Sequence, residues 1–385
     1  MDTKAAARER VDANRDALIA LSHRIHDNPE LGFEEEKASA WLAETLADAG
    51  FAVELGVCDL PTAFIARAGS GPLHIAICAE YDCLPAIGHA CGHNIIAAMS
   101  VGAGLAAARV ADDLGLTVSV IGTPAEEVGD GGGKILMLER GAFAGVHAAM
   151  MVHPAPLDIC APKMIAAATF NTYFTGKEAH AAAFPEVGIN AADALTVAQV
   201  AVGLLRQHIR ATDRIHGIIT KGGDAPNIVP AHTSARYMIR AETLDDVREL
   251  TPRVLRCFEA GALATGARLE VTGGSKPYAQ VVHDPEIAGF YQTNAEALGR
   301  TFTQAGLPAS TDMGNVSLAI PSIHPSIGIN SLPAVNHQPE FTAHGVTPDA
   351  DRAVIDGALA MAWTTIDLAE HAAARERLMT RAMPA

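Results

Sequence analysis

Three short runs of this 385-residue chain place metal-ligating and acid–base side chains directly behind apolar stretches. The densest is Glu80-Tyr-Asp82-Cys-Leu-Pro85, followed by Gly88-His-Ala-Cys91-Gly-His93-Asn94. Cys91 and His93 offer a thiolate and an imidazole, both ligands of transition metals, on either side of a glycine. The second run is Thr123-Pro-Ala-Glu126-Glu127. Adjacent residues of an extended chain point to opposite sides, so one Glu can coordinate a metal while its neighbour addresses a water. The third, Met150-Met-Val-His153-Pro, delivers a histidine, and a polar stretch near the C-terminus, Val335-Asn-His337-Gln-Pro-Glu-Phe341, delivers another.

Each run alone has an ordinary explanation: a buried Cys and a core His at a helix start, a solvated acidic turn, a loop His. Their recurrence behind successive apolar runs is what points to a metal centre. Cys91, His93, Glu127, His153 and His337 make five donors. A catalytic zinc takes three protein ligands and a water, so five suit two metals sharing a bridging thiolate or hydroxide. His and Cys donors select zinc first, with manganese, cobalt or nickel as alternatives, over magnesium or calcium. Asp82 and Glu126 add negative charge beside such a centre and are candidate catalytic groups.

Positioning these runs requires an alternation of helix and strand. The apolar periodicity predicts helices over 4–27 and 35–49, strands over 51–57, 62–67 and 73–79, and an Ala/Gly-rich helix over 92–110. Strands over 116–122 and 147–152 follow. The result is an α/β layer with a largely parallel sheet, whose ligands gather beyond the carboxyl ends of the strands. From residue 164 the pattern changes to strand 164–176, helix 190–209, strands 216–222 and 232–242, helix 244–264 and strand 267–273. That is β-α-β-β-α-β, a split βαβ arrangement. A last helix over 348–372 starts behind Thr347-Pro348-Asp349. The expected organisation is a discontinuous α/β domain over 1–163 and 279–385, interrupted by a small α+β domain over 164–278.

Composition narrows the function. Lys plus Arg number 28 against 44 Asp plus Glu, a formal charge of −16, which argues against nucleic acid or an anionic membrane surface as partner. The longest uncharged apolar stretch, Ile95 to Ala108, is too short to span a bilayer. With a charged N-terminal segment and six cysteines lacking any Cys-x-x-Cys pair, the chain reads as cytoplasmic, with free or ligating thiols. Gly129-Asp-Gly-Gly-Gly-Lys134 lacks the spacing of a phosphate loop and reads as a flexible loop. Gly102-x-Gly104 lies inside a helical run, not behind a strand, so it is no dinucleotide fingerprint. A Gly-x-Ser-x-Gly nucleophile elbow is lacking as well.

With these residues in place, the sequence resembles metallopeptidase family 20, in the branch of aminoacylase-like, carboxypeptidase-G-like, aminobenzoyl-glutamate and auxin-conjugate hydrolases. The resemblance runs from Arg24-Ile-His-Asp-Asn-Pro-Glu-Leu-Gly-Phe-Glu34 through Gly88–His93, Pro124–Glu127 and Gly176-Lys-Glu-Ala-His180 to His337-Gln-Pro-Glu-Phe341. It implies a di-metal, zinc-peptidase-like α/β catalytic domain with an inserted ferredoxin-like lid that dimerises. It also implies Cys91, His93, Glu127, His153 and His337 as ligands of two divalent ions and Glu126 as general base. His180 takes the role of the lid histidine that assists an oxyanion, and Asn227 and Arg240 that of binding the substrate carboxylate. The branch carries Asp where this chain has Asn94, and Ser310-Thr-Asp-Met-Gly-Asn-Val-Ser317 with Ile323-His-Pro325 leans toward small dipeptidases. The expected activity is metal-dependent hydrolysis of an amide in an N-acyl amino acid, dipeptide or aminobenzoyl-glutamate-type substrate. The alternatives are a metal-hydroxide deaminase of a small aromatic or heterocyclic amine, and a non-catalytic small-molecule binding protein.

Overall fold

A computed structural model describes residues 2–304 and 309–380. The chain divides into two compact units, one of residues 1–128, 132–164 and 281–385, the other of 129–131 and 165–280. The strands, in chain order, are β1 (Ala52–Leu55), β2 (Phe64–Ala68), β3 (Leu73–Ala79), β4 (Leu116–Gly122), β5 (Ala148–Met150) and β6 (His153–Ala155). They continue with β7 (Ala166–Thr175), β8 (Arg214–Lys221), β9 (His232–Ala241), β10 (Arg268–Gly273), β11 (Ser322–Ile323) and β12 (Ser326–Gly328).

The larger unit is built on a six-stranded sheet in the order β1-β2-β4-β3-β5-β11. Its centre is parallel, since β4, β3, β5 and β11 all run the same way, whereas β1 and β2 join antiparallel at one edge. The sheet is therefore mixed, its parallel part being the part that carries β3, β4 and β5. These central strands are buried on both faces, which is why β3 and β4 read as almost continuous apolar runs. The helix His93–Ala108 is buried along nearly its whole length and can lie close only because it is rich in Ala and Gly. A Cβ added at Gly104 would stand 2.3 Å from Val120 Cγ2 on β4. Gly102-x-Gly104 is thus a packing device. The helix Pro348–Glu370 packs on the same core and starts as its sequence predicts, with the Thr347 side chain accepting from the Ala350 amide and Pro348 in the first turn.

The smaller unit has the four-stranded antiparallel sheet β10-β7-β9-β8. One of its faces packs on the helices Ala191–Leu205 and Leu244–Thr265 through Phe170, Phe174, Tyr237 and Phe258. The second helix opens with a reciprocal Thr243–Asp246 capping box, a local signal that fixes its start. Together the elements complete β-α-β-β-α-β in ferredoxin-like order. Among the described residues no helix is long and apolar enough to cross a membrane.

Candidate metal centre

Because β4, β3 and β5 are adjacent and parallel, their carboxyl ends open on one edge of the sheet, and the three polar runs leave from there. His93 is the first residue of its helix, entered through Gly92 at φ +79. A Cβ at Gly92 would also lie 2.5 Å from Pro154 Cγ, so both backbone angle and space demand glycine there. The His337 amide donates to Ala90 O at 2.9 Å, and Asn336 Nδ2 donates to Pro154 O at 3.1 Å. The C-terminal loop is thereby stapled to both the Cys91 turn and the His153 strand.

These constraints bring all five sequence-predicted donors together in two overlapping sets. Cys91, His93 and His153 form one, and Cys91, Glu127 and His337 form the other, each with its donor atoms within 4.8 Å of one another. Cys91 Sγ lies 3.4 Å from His153 Nε2 and 3.5 Å from His337 Nε2. His337 Nε2 is 3.5 Å from Glu127 Oε1, too long for a charge-assisted hydrogen bond. Two donors about 2.1 Å from a common cation at near-tetrahedral angles stand about 3.4 Å apart, so these spacings suit shared metals. Burial points the same way. His93 Nε2, 3.4 Å from Glu80 Oε2, and Glu127 Oε1 are both buried with no hydrogen-bond partner, a costly state that a cation in each donor set would relieve. The donor set therefore fits two divalent ions.

The groups behind the donors prepare them. His93 Nδ1 bonds Asp82 Oδ1 at 2.8 Å, leaving Nε2 to face the cluster. His153 Nδ1 donates to Pro154 O at 2.8 Å, with the same effect. Burial, and then the charge of His93, hold His153 down to about 4, so its ring is neutral, the form that can coordinate a metal. Burial opposes charge on His93, yet Asp82 and Glu80 push it well above the usual imidazole range, which marks its surroundings as selective for a cation. For Glu126, burial and then the carboxylates of Glu127, Glu80 and Asp312 push the carboxyl well above its usual range, as suits a group that must hold a proton. Burial likewise raises the Cys91 thiol, which a metal would deprotonate.

The structure adds groups that the sequence left unassigned. Lys134 is fully buried and pairs with Glu80 and, at 2.7 Å, with Asp312 Oδ1. It sits in the helix Gly133–Glu139, so the expectation of a flexible loop fails at its last two residues. The signal available was Glu80, a carboxylate directly behind β3 that must find a cation once buried. His324 is also buried, its ring 5.5 Å from that of His153. Asn94 donates from Nδ2 to Ser22 Oγ at 2.9 Å and to Gly345 O at 3.0 Å; a carboxylate could accept from the Ser22 hydroxyl but could not bond the Gly345 carbonyl. The departure at this position is therefore a structural one.

His180, Asn227 and Arg240 belong to the smaller unit. The His180 and Asn227 segments meet there, with a bridge between His180 and Ile228 and the Ala181 amide donating to Asn227 O at 3.0 Å. Arg240 lies on β9, opposite Ala167 on one side and Arg214 on the other. His180 Nδ1 accepts from the amides of Ala182 and Ala183 at 3.3 and 3.1 Å, which places the proton of the neutral ring on Nε2.

The chain is 37% identical to a mouse Xaa-Arg dipeptidase, covering 95% of this chain and 88% of the relative. It is 34% identical to a chain of the p-aminobenzoyl-glutamate hydrolase of Escherichia coli strain K12, over 68% of this chain and 58% of that one. In fold it resembles a dinuclear metal binding peptidase of Bacillus subtilis, with a TM-score of 0.68, 23% identity and coverage of 92% of this chain and 99% of the other. An aminobenzoyl-glutamate utilization protein of Klebsiella pneumoniae gives a TM-score of 0.72 at 19% identity, with 92% and 97% covered. Residues 79–360 match the profile of peptidase family M20/M25/M40, and the chain belongs to that family.

Proposed function

We propose that Cys91, His93 and His153 hold one divalent ion, that Cys91, Glu127 and His337 hold a second, and that this pair serves hydrolysis of the amide bond in a dipeptide or N-acyl amino acid. The chain is a metal-dependent hydrolase of small amide substrates. The observation that carries the assignment of residues is the membership of one sulfur, Cys91 Sγ, in both donor sets. Zinc is the metal that this mixture of thiolate, imidazole and carboxylate favours.

Bound metals supply Lewis-acid polarisation of the scissile carbonyl and acidify a water. The chain's own residues do the rest. Glu126 takes the proton of the attacking water on its carboxylate and later returns it to the leaving amine. Asp82 and the Pro154 carbonyl orient His93 and His153. His180 donates from Nε2 to the developing oxyanion, and the backbone bonds to its Nδ1 support that tautomer. Asn227 and Arg240 are assigned to the substrate carboxylate.

The relatives direct the substrate proposal to dipeptides ending in arginine, with aminobenzoyl-glutamate second. A homodimer formed through the smaller unit is supported by apolar side chains exposed on it: Val200 and Leu204 on one helix, Ile218 and Ile219 on β8. The free state of all six cysteines supports a reducing, cytoplasmic location. The test is turnover of the zinc- or manganese-reconstituted protein on Xaa-Arg dipeptides, aminobenzoyl-glutamate and N-acyl amino acids. Glu126→Gln is expected to lower kcat at least a thousandfold at unchanged metal content. Near-normal turnover in that variant would refute the base assignment, and ammonia release without amide cleavage would refute the reaction class.

A further inference from the structure

The run Asn28-Pro-Glu-Leu-Gly-Phe-Glu-Glu35 has no part in the chemistry above, yet it is built against the turn that carries Glu126. Its Glu35 is wholly buried. One carboxylate oxygen, Oε1, accepts from the Ala125 amide at 2.7 Å, and Oε2 accepts from Thr62 Oγ1 at 2.9 Å. Thr62 is itself anchored, its carbonyl accepting from the Tyr81 hydroxyl at 2.6 Å. The run also approaches this turn closely at Gly32. A Cβ added at Gly32 would lie 3.0 Å from Ala125 Cα and 3.0 Å from Val128 Cγ1. On its other side the run is tied to the loop after β3, through the Cys83 amide donating to Glu30 O at 2.9 Å.

Ala125 is where such a clamp is required. It sits at φ +58, a region that an L-residue with a side chain occupies only at a cost in free energy. Left alone, the peptide would relax to an ordinary conformation and swing the following side chain away. The next-but-one amide is held in a matching way, since Glu127 N donates to Asp82 Oδ2 at 2.9 Å. The amides on either side of Glu126 are therefore each held by a buried carboxylate, one from the loop after β3 and one from the N-terminal segment. A carboxylate makes a shorter and stiffer bond to an amide than a neutral acceptor does.

We infer that Glu35 is a positioning residue for the catalytic base: by holding the Ala125 amide it keeps that residue in its left-handed conformation and fixes where the Glu126 carboxyl stands. The inference rests on the assignment of Glu126 as base. It predicts an effect on turnover in a residue far from Glu126 in sequence and not among the metal donors.

The experiment compares the full-length wild type with Glu35→Ala, Glu35→Gln and Glu126→Gln. The probes are alanyl-arginine and p-aminobenzoyl-glutamate hydrolysis, together with metal content and hydrogen exchange of a peptide covering residues 123–128. Glu35→Ala is expected to lower kcat about a hundredfold, the scale of a displaced catalytic group, with KM within about threefold and metal content unchanged. Its 123–128 amides should exchange faster. Glu35→Gln keeps an oxygen for Ala125, and its amide can donate to the Thr62 hydroxyl, so exchange should return to the wild-type rate and kcat to within about tenfold. A purely structural role would lower the folded fraction without this split between kcat and KM and without rescue by Gln.

Wild-type kcat and exchange in Glu35→Ala, with Glu126→Gln inactive, would overturn the positioning role alone. Full turnover in Glu126→Gln would remove the base assignment, and this inference with it, whatever Glu35→Ala does. If Glu35→Ala does not fold, Glu35→Asp carries the test, because it withdraws the oxygen by one methylene and keeps the charge. Fast exchange with low kcat in that variant supports the role, and slow exchange with wild-type kcat overturns it.

Discussion

Asp82 grips His93 from behind, Oδ1 to Nδ1 at 2.8 Å, while its second oxygen accepts from the Glu127 amide at 2.9 Å. One buried carboxylate thus orients a donor from each of the two sets. Burial alone would raise the Asp82 carboxyl, but the charge and hydrogen bond of His93 hold it below the usual carboxylate range, so it stays an acceptor. Such support is worth about 10–100-fold in metal affinity in comparable sites. Asp82→Ala should weaken binding of the His93-side metal by that factor, measured by competition with a chromophoric chelator. Equal affinity in the variant would show that His93 needs no support.

Cys91 is the donor common to both sets, so its loss should not be confined to one ion. Cys91→Ala is expected to bring metal content after dialysis from two ions per chain to one or fewer, whereas His337→Ala should spare the His93-side ion. Retention of two ions by Cys91→Ala would exclude a bridging thiolate.

Lys134 neutralises two buried carboxylates, Glu80 and Asp312, at a point where water cannot. Removing one partner of a buried ion network leaves uncompensated charge and costs about 3–5 kcal/mol. Lys134→Met should lower stability by that order in denaturant unfolding, a larger loss than removal of any exposed ion pair such as Arg248–Asp245.

Burial, and then the charge of Asp82, push the Glu35 carboxyl up from 4.5 to about 7. A carboxyl raised on folding binds its proton more tightly in the folded state. The group therefore costs nothing at acid pH and destabilises the fold as pH rises through the interval between the two values. The shift corresponds to about 3 kcal/mol at full effect. Relative to wild type, Glu35→Gln should gain stability on going from pH 5 to pH 8, by an amount of that order in urea unfolding. A difference independent of pH would mean that Glu35 titrates alike in both states.

His180 is expected to act on the transition state and not on the metals. His180→Ala should lower kcat about 10²–10³-fold, the scale of one oxyanion donor, with metal stoichiometry intact. A loss of metal in this variant would give the residue a different role.

Much of this was written in local sequence. The apolar runs at 73–79 and 116–122 could be read as buried strands because a parallel central strand is covered on both faces. The helix behind Thr347-Pro348 announced itself by its cap, and the β-α-β-β-α-β order of residues 166–273 by periodicity alone. The five candidate donors and the Glu126–Glu127 pair could be picked out from the sequence in the same way, because metal and proton chemistry restrict residue type. What tertiary structure decided was partnership. That Cys91 belongs to both donor sets, that Asp82 stands behind His93, that Lys134 is buried between Glu80 and Asp312, and that Glu35 reaches Ala125 all depend on contacts between segments 11 to 246 residues apart. No local pattern encodes such pairings, since they exist only once the sheet sets its strand ends side by side and burial denies each charged group its water.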